Sequence, residues 1–411
     1  MRIYQLICGL AQHHELTCAT FAPDAAAERD LAPLRAICRV VSVRGPRRRS
    51  PLRRAYTTLA SSLPDMALRN ATVAYTRALH NELATESFDI VQAESIEMAG
   101  YLLQVQRDAL DVRRSELAAR SKRLTHRPKL VLDQFNAEYV LQQRAFVNDA
   151  RRPRRWHAAA YSLIQWQKLA RYERRVMRRC DAVAVVSEED RRALHALDAG
   201  LRITVVPNGV DTAWFSKTAL AGECAPAPVL SDCALVFTGT LDFRPNVDAV
   251  LWFAREVLPR IRARCPAAHL LVVGKRPAPI LHMLAAAGAT TIVGQVPDAR
   301  PYIAGAAVYV VPMRIGGGVR LKLLEALALE AAVVSTSMGA EGVAGLRDGE
   351  HCLLADDAEH YAGAVLRLLA DRALGRRLGA AGRVLVREHY DWTVIVPRLD
   401  ALYAELAPAS D

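Results

Sequence analysis

The stretch 308-VYVVPMRIGGGVRLKLLEALAL-329 passes from apolar residues to glycine, then to charge, then back to apolar residues. Its first five residues read as a buried strand, and the spacing over 319–330 is that of a helix. Gly316, Gly317 and Gly318 stand at the hand-over. A helix start offers N–H groups with no intrahelical partner and the positive end of the peptide dipole. Placed after a strand, it is an anion site, and glycines there let phosphate oxygens come close to the backbone. Arg320 and Lys322 add positive charge. Glu325 follows Lys322 by three residues, so the two share a helix face. A carboxylate there can accept hydrogen bonds from a ribose diol. Phosphate on the loop with sugar on the acid predicts a site for a nucleotide diphosphate. Three glycines and a Lys–Glu pair taken alone would sooner describe a plain turn beside a surface ion pair.

The surroundings extend the pattern. Apolar runs at 234–241, 269–275, 290–296, 308–312, 332–337 and 352–356 alternate with helical spacing, including 246–265, for which Asn246 is the predicted N-cap. The N-terminal half repeats this at 15–21, 39–43, 88–94, 129–135, 181–187 and 203–209. Short apolar strands alternating with amphipathic helices predict parallel sheets covered on both faces. The expected fold class is therefore α/β, with two Rossmann-like, doubly wound domains facing a cleft. The expected boundaries are 1–213 for an acceptor-side domain and 214–232 for a linker carrying prolines. A nucleotide-sugar-binding domain should cover 233–390, and a C-terminal helix over 391–411 should cross back to the N-terminal domain. Residues 107–129 read as a charged helix or insertion.

With 411 residues, 52% hydrophobic and 24% charged, the chain has length for large cores. Its eight cysteines are scattered and show no metal-ligand spacing, so they read as reduced thiols of the cytosol. The formal charge is +11, and the surplus lies in the N-terminal half, densest at 44–54 and 151–179. Such arginine-rich stretches suit a solvated surface, an anionic membrane or nucleic acid. No helix-turn-helix, zinc-finger or stacking-platform pattern accompanies them, so nucleic acid is not expected.

The segment 315-IGGGVRLKLLEALALEAAVVSTSMGAEGV-343 resembles the donor-binding region of retaining glycosyltransferases of the GT-B fold, family 4. The stretches "FTGTLDFRPNVDAVLWFAREVLP", "VPNGVD" (206–211), "CDAVAVVSEEDRRAL" (180–194) and "DQFNAEYVLQQRAF" (133–146) are similar to further parts of that family. The resemblance implies that Arg244, Lys322 and Glu325 act at the departing diphosphate and the donor. Gly239, Gly316, Gly317, Gly318, Arg320, Glu341 and Gly342 would then line the donor site. Glu94, Asn136 and Glu138 are the acceptor-side candidates. Ser187 reads as a helix N-cap before it reads as a site, and His13 and His14 as the end of a helix.

Three departures from the family pattern stand out. Gly317 occupies the place where many relatives carry a first glutamate. Phe135 stands where a strand commonly ends in a histidine. Residues 1–14 read as the helix that normally follows a first strand and a glycine turn. From this the N-terminal domain is expected to lack that strand, and upstream sequence to encode about five apolar residues and such a turn.

The expected activity is sugar transfer from a nucleotide-diphospho-sugar, with retention, to a cell-envelope glycan or lipid-linked acceptor. The family works without a bound metal, so no metal and no cofactor is expected. The expected place is the cytoplasm, at the inner face of the cytoplasmic membrane, with an anionic lipid surface as a further partner. The alternatives are a nucleotide-sugar epimerase on the same fold and a binding protein of impaired activity.

Overall fold

Valine, isoleucine and leucine crowd the centres of the strands because both faces of a parallel sheet are covered. In the computed structural model, which describes residues 2–46, 49–114, 127–151, 153–222, 230–285, 288–316 and 318–407, these runs form twelve strands among the described residues. They are β1 (Thr17–Phe21), β2 (Arg39–Val43), β3 (Ile90–Glu94), β4 (Lys129–Gln134), β5 (Ala182–Val185), β6 (Ile203–Val205), β7 (Ala234–Thr238), β8 (His269–Val273), β9 (Thr290–Gly294), β10 (Val308–Val311), β11 (Val333–Ser335) and β12 (Leu353–Leu354). Every strand pairing among them is parallel.

The chain divides into two units, Met1–Val206 with Val396–Asp411, and Pro207–Ile395. The hand-over at Val206/Pro207 precedes the expected 214–232 segment. That segment's described part is no free linker: Ser216 caps a short helix, Lys217–Ala221, through its hydroxyl on the Ala219 N–H. The helix Trp392–Leu406 starts in the second unit and ends in the first. Gly317, residues 115–126 of the expected insertion and 223–229 of the expected linker lie outside the described residues.

The second unit holds one six-stranded sheet in the order β12-β11-β10-β7-β8-β9. This is the doubly wound order, in which the crossovers reverse direction between β7 and β10. The two central strands β7 and β10 are buried along their whole length. Its core runs through Phe237, Phe253, Tyr309, Leu323, Leu324 and Tyr361, all essentially without solvent exposure.

The first unit follows the same order with an interruption. β2 pairs with β1, and β3-β4-β5-β6 form a separate four-stranded sheet. Leu130, Leu132, Val183 and Val185 anchor its core with Leu102 and Val176 from neighbouring helices. The helix Arg2–Leu10 packs Leu6 and Leu10 inward. His13 and His14 lie beyond its end, where both approach Asp400, His14 Nε2 at 2.6 Å and His13 Nδ1 at 3.4 Å. No described helix is long and apolar enough to cross a membrane.

Candidate active site

In a doubly wound sheet the loops at the strand ends beside the crossover reversal diverge and leave a crevice. In the second unit these are the loops after β7 and β10. Gly239 follows β7, and Arg244 opens the next helix, Arg244–Trp252, half-buried. Asn246 is not that helix's N-cap. The helix begins two residues earlier, with Pro245 in its first turn, so the Asn246 side chain lies within the first turn and is free for tertiary contacts. Its Nδ2 donates to the Thr240 carbonyl at 2.8 Å, and its Oδ1 accepts from Lys322 Nζ at 2.9 Å.

Lys322 comes from the helix Leu321–Ala328, after β10 and the glycine loop. Its ammonium lies 3.9 Å from the centroid of the Phe237 ring on β7. Burial pushes its pKa down to about 7, with Arg320 adding to the depression and Glu325 opposing it. Glu325 is itself raised by burial, against the pull of Lys322. The two groups influence each other electrostatically, in surroundings whose burial favours the neutral form of each.

The glycines make room for this arrangement. A Cβ on Gly239 would sit 2.8 Å from both Asn246 Nδ2 and Lys322 Nζ. Gly239 is in turn covered by Gly274 at the end of β8, whose Cβ would lie 1.7 Å from the Gly239 carbonyl oxygen. Gly316 has φ 128°, and a Cβ there would come 2.5 Å from Arg320 Nη2. Arg320 is therefore seated over the loop by its own side chain rather than swinging freely. Gly318 (φ 74°) and Gly342 (φ 82°) are left-handed. A Cβ on Gly342 would approach the Val319 N–H nitrogen at 3.3 Å, so the Glu341–Gly342 turn lies against the exit of the glycine loop. Glu341 closes the short helix Ser337–Ala340.

Of the expected donor-side residues, the structure sets Lys322 beside Gly239, with Glu325 on the same helix as Lys322, and sets Gly316, Gly318, Arg320 and Gly342 in the adjoining loops. Gly317 is outside the described residues. Sequence reasoning missed Asn246 as the partner of Lys322, and Gly274 as the support of Gly239. The signal for Gly274 was its place at the end of an apolar run, in "HLLVVGK".

In the first unit, Glu94 and Asp133 are register partners at the carboxyl ends of β3 and β4. Burial raises Glu94 to about 8, and the Asp133 charge adds to this. Asp133 is gripped by Arg2 in a two-bond contact, Nε at 2.9 Å and Nη2 at 2.8 Å. The Arg2 guanidinium also stands 6.0 Å from the centroid of Phe135. Asn136 donates to Glu138 Oε1 at 3.3 Å, and burial raises Glu138 to about 7. The buried Glu173, unforeseen, holds the Glu138 and Tyr139 N–H groups and Gln134 Nε2. Ser187 is an N-cap, accepting from the Asp190 N–H at 3.1 Å. Among the described residues no group of three or more His, Cys, Asp or Glu side chains is placed to hold a metal ion.

A depressed lysine in an anion site has a measurable signature. An arriving diphosphate favours the charged ammonium, so binding takes up a proton wherever the free protein's Lys322 is neutral. Affinity for a nucleoside diphosphate should be flat well below pH 7 and fall above it by up to about tenfold per pH unit. Calorimetry at pH 8 in buffers of different ionisation enthalpy should read an uptake of roughly 0.9 proton. An affinity unchanged from pH 7 to 9 would remove Lys322 from the phosphate site.

Comparison with known proteins finds relatives of this fold. The family model for Glycosyl transferases group 1 matches residues 232–371, and that for Glycosyltransferase Family 4 matches 117–214. Together they cover more than half of the chain. Among curated proteins, an uncharacterized 44.6 kDa protein in the cps region of Klebsiella pneumoniae is 26% identical over 170 residues. That match takes in 39% of this chain and spans 44% of that relative's length. Among solved structures, sucrose-phosphate synthase from Thermosynechococcus elongatus superposes with a TM-score of 0.68 at 19% identity, over 99% of this chain and 93% of that one. HepE of Anabaena, solved in complex with UDP, gives 0.62 at 14% identity, over 98% and 95%. At these identities the likeness is one of fold, and the fold is GT-B.

Proposed function

Because this chain belongs to the group 1, family 4 glycosyltransferases, we propose that it moves a sugar from a nucleotide-diphospho-sugar to a glycan or lipid-linked acceptor of the cell envelope, with retention of configuration. The observation that carries the reading is Lys322, held by Asn246 against the backbone of Gly239 beyond the carboxyl end of β7, neighbour of β10. The leaving diphosphate gains negative charge as the glycosidic bond breaks. Lys322, Arg244, Arg320 and the amides of the glycine loop stabilise that charge, which is where preorganised electrostatics lowers a barrier most. Glu325 accepts from the ribose diol. A UDP-bound fold relative supports a nucleoside diphosphate as the ligand class. The acceptor side is assigned to Glu94, Asn136 and Glu138 of the first unit.

The direct test is a thermal-shift screen of UDP-, GDP-, ADP- and dTDP-sugars, since a ligand of the native state raises Tm. The donor found this way is then followed for transfer to lipid-linked acceptors. Absence of any shift by the whole panel would defeat the reading. With the donor in hand, Glu325→Ala should weaken it by roughly 10- to 150-fold, the worth of a hydrogen bond to a charged group. The free nucleobase should bind as before. Equal losses for both ligands would show that Glu325 does not hold the ribose.

A peripheral membrane site fits the same reading. The helix Pro51–Ala60 opens in the last four residues of the basic 44–54 stretch. It exposes Leu52, Tyr56 and Leu59 at 84%, 71% and 79%, spaced so that they share one face. An apolar face with a basic rim is what an anionic lipid surface binds. Vesicles containing phosphatidylglycerol should bind the protein at low salt and release most of it as salt passes about 0.3 M. The triple change Leu52→Ser, Tyr56→Ser and Leu59→Ser should abolish the binding, and equal binding to neutral vesicles would contradict the proposal.

A further inference from the structure

Seven of the eight cysteines lie among the described residues, and all seven are free thiols. Three of them are placed to stay so. Burial pushes Cys180 and Cys352 up to about 12 and Cys18 up to about 11, and a thiol that keeps its proton is a poor nucleophile. Two others stand apart. Cys233 and Cys265, both half-buried, meet across 32 residues with their sulfurs 3.2 Å apart.

The backbone explains the meeting. Ala234 at the start of β7 pairs with His269 at the start of β8, so Cys233, one residue earlier, falls opposite Ala268. The ladder still runs there, because the His269 N–H donates to the Cys233 carbonyl at 3.3 Å. Ahead of β8 the chain turns. The Ala268 N–H donates to the Cys265 carbonyl at 2.9 Å, and the Cys265 N–H to the Ile261 carbonyl at 2.8 Å. Ile261 belongs to the helix Leu258–Arg262 and is fully buried. The turn thus folds Cys265 back over the start of β7, with hydrogen-bonded backbone on both sides of the contact. Arg372 fixes the same corner, since its guanidinium donates to the carbonyls of Asp232 and Ala307. The corner lies at the amino end of β7, the opposite end of the strand from Gly239.

We propose that Cys233 and Cys265 form a disulfide site, which closes when a small organic disulfide is the oxidant and ties the start of β7 to the turn before β8. The thiolate of one cysteine attacks a sulfur of the organic disulfide, RSSR. That S–S bond breaks, a mixed disulfide forms with the protein, and RS⁻ leaves. The second cysteine, as thiolate, attacks the protein sulfur of the adduct, and a second RS⁻ leaves. The two thiol protons end on the two released RSH molecules. The pair gives up two electrons, and RSSR takes them. The sulfurs must close from 3.2 Å to the covalent length of about 2.05 Å, a shift of about 1 Å shared by two side chains. The hydrogen bond with Cys265 and burial hold the Cys233 thiol above its ordinary range, and the Arg372 charge opposes them. Closure is therefore best followed on the alkaline side, where exchange has thiolate to use.

In the test, the full chain is treated with oxidised glutathione at about pH 8.5, and its remaining thiols are blocked with N-ethylmaleimide. Unreduced peptides are then mapped by mass spectrometry. The expected product is a cross-linked pair holding Cys233 and Cys265, lighter by two hydrogen atoms than its separate peptides. Tm should rise by about 5 °C or more, because the bond restricts the unfolded chain across 32 residues. Dithiothreitol should reverse the rise. Cys233→Ser and Cys265→Ser should each abolish both the cross-link and the rise. If a serine variant does not fold, the peptide map and Tm of the natural protein decide alone. Absence of the cross-link, with the thiols left free or carrying only glutathione, would overturn the proposal. So would a bond from either cysteine to any other, or a Tm unmoved by closure. None of these readouts depends on nucleotide binding or sugar transfer.

Discussion

Lys322→Met is expected to lower kcat by roughly 10²- to 10³-fold, the cost of removing one preorganised group from a developing negative charge. The apparent binding constant of the donor should change much less, because the ammonium matters most as the diphosphate departs. Initial rates with the donor identified by thermal shift measure both. A rise in the binding constant with kcat untouched would make Lys322 a ground-state anchor instead. The same variant has a stability signature whose sign follows from linkage. Lys322 has its pKa lowered from 10.5 to about 7 in the folded protein. Between these values the unfolded chain holds the proton more, so the penalty of burying the lysine is fullest below pH 7 and fades as pH rises toward 10.5. The Tm of Lys322→Met minus that of the natural protein should therefore be more positive at pH 6 than at pH 9. The opposite order would mean that the ammonium is compensated in the free protein.

Gly274→Ala is expected to lower Tm by about 5–15 °C, and to lose UDP binding with it. The added Cβ would stand 1.7 Å from the Gly239 carbonyl oxygen, a backbone atom that has no rotamer to turn aside. Gly274 also has φ 150°, inside the range that side chains rarely adopt. Overpacking against backbone and an unfavoured φ each cost roughly 1–3 kcal/mol, and each kcal/mol moves Tm by about 2–4 °C in a unit of this size. The displaced Gly239 is the residue against which Lys322 and Asn246 rest, so the fold and the site fail through one contact. Thermal denaturation followed by UDP titration at low temperature separates the two losses. An unchanged Tm would show that the β7 and β8 ends relax independently.

The strands were legible in the sequence because a buried parallel strand is a short continuous apolar run, and Ala234–Thr238 and Val308–Val311 are such runs. The glycine loop and the Lys322–Glu325 face were legible because their partners lie within one helix turn. Asn246 was not. Its residue type at a helix start suggests a cap, and only the approach of a helix 76 residues away gives it Lys322 instead. The same holds for Arg2 and Asp133, which meet across 131 residues, and for Glu173, which accepts from the first N–H groups of the helix Glu138–Ala150. Long-range pairs leave no local pattern. The separation of β1-β2 from β3-β4-β5-β6 likewise belongs to the folded backbone.

A lysine that gives up its proton near neutrality is a nucleophile as well as a cation. Arginine at that position would offer more hydrogen bonds, yet it would stay charged at every attainable pH. It would then leave a permanent ion in the cavity whenever no ligand was there to neutralise it. Lysine at 322 can thus shed a charge that burial penalises, which a guanidinium at the same place could not do.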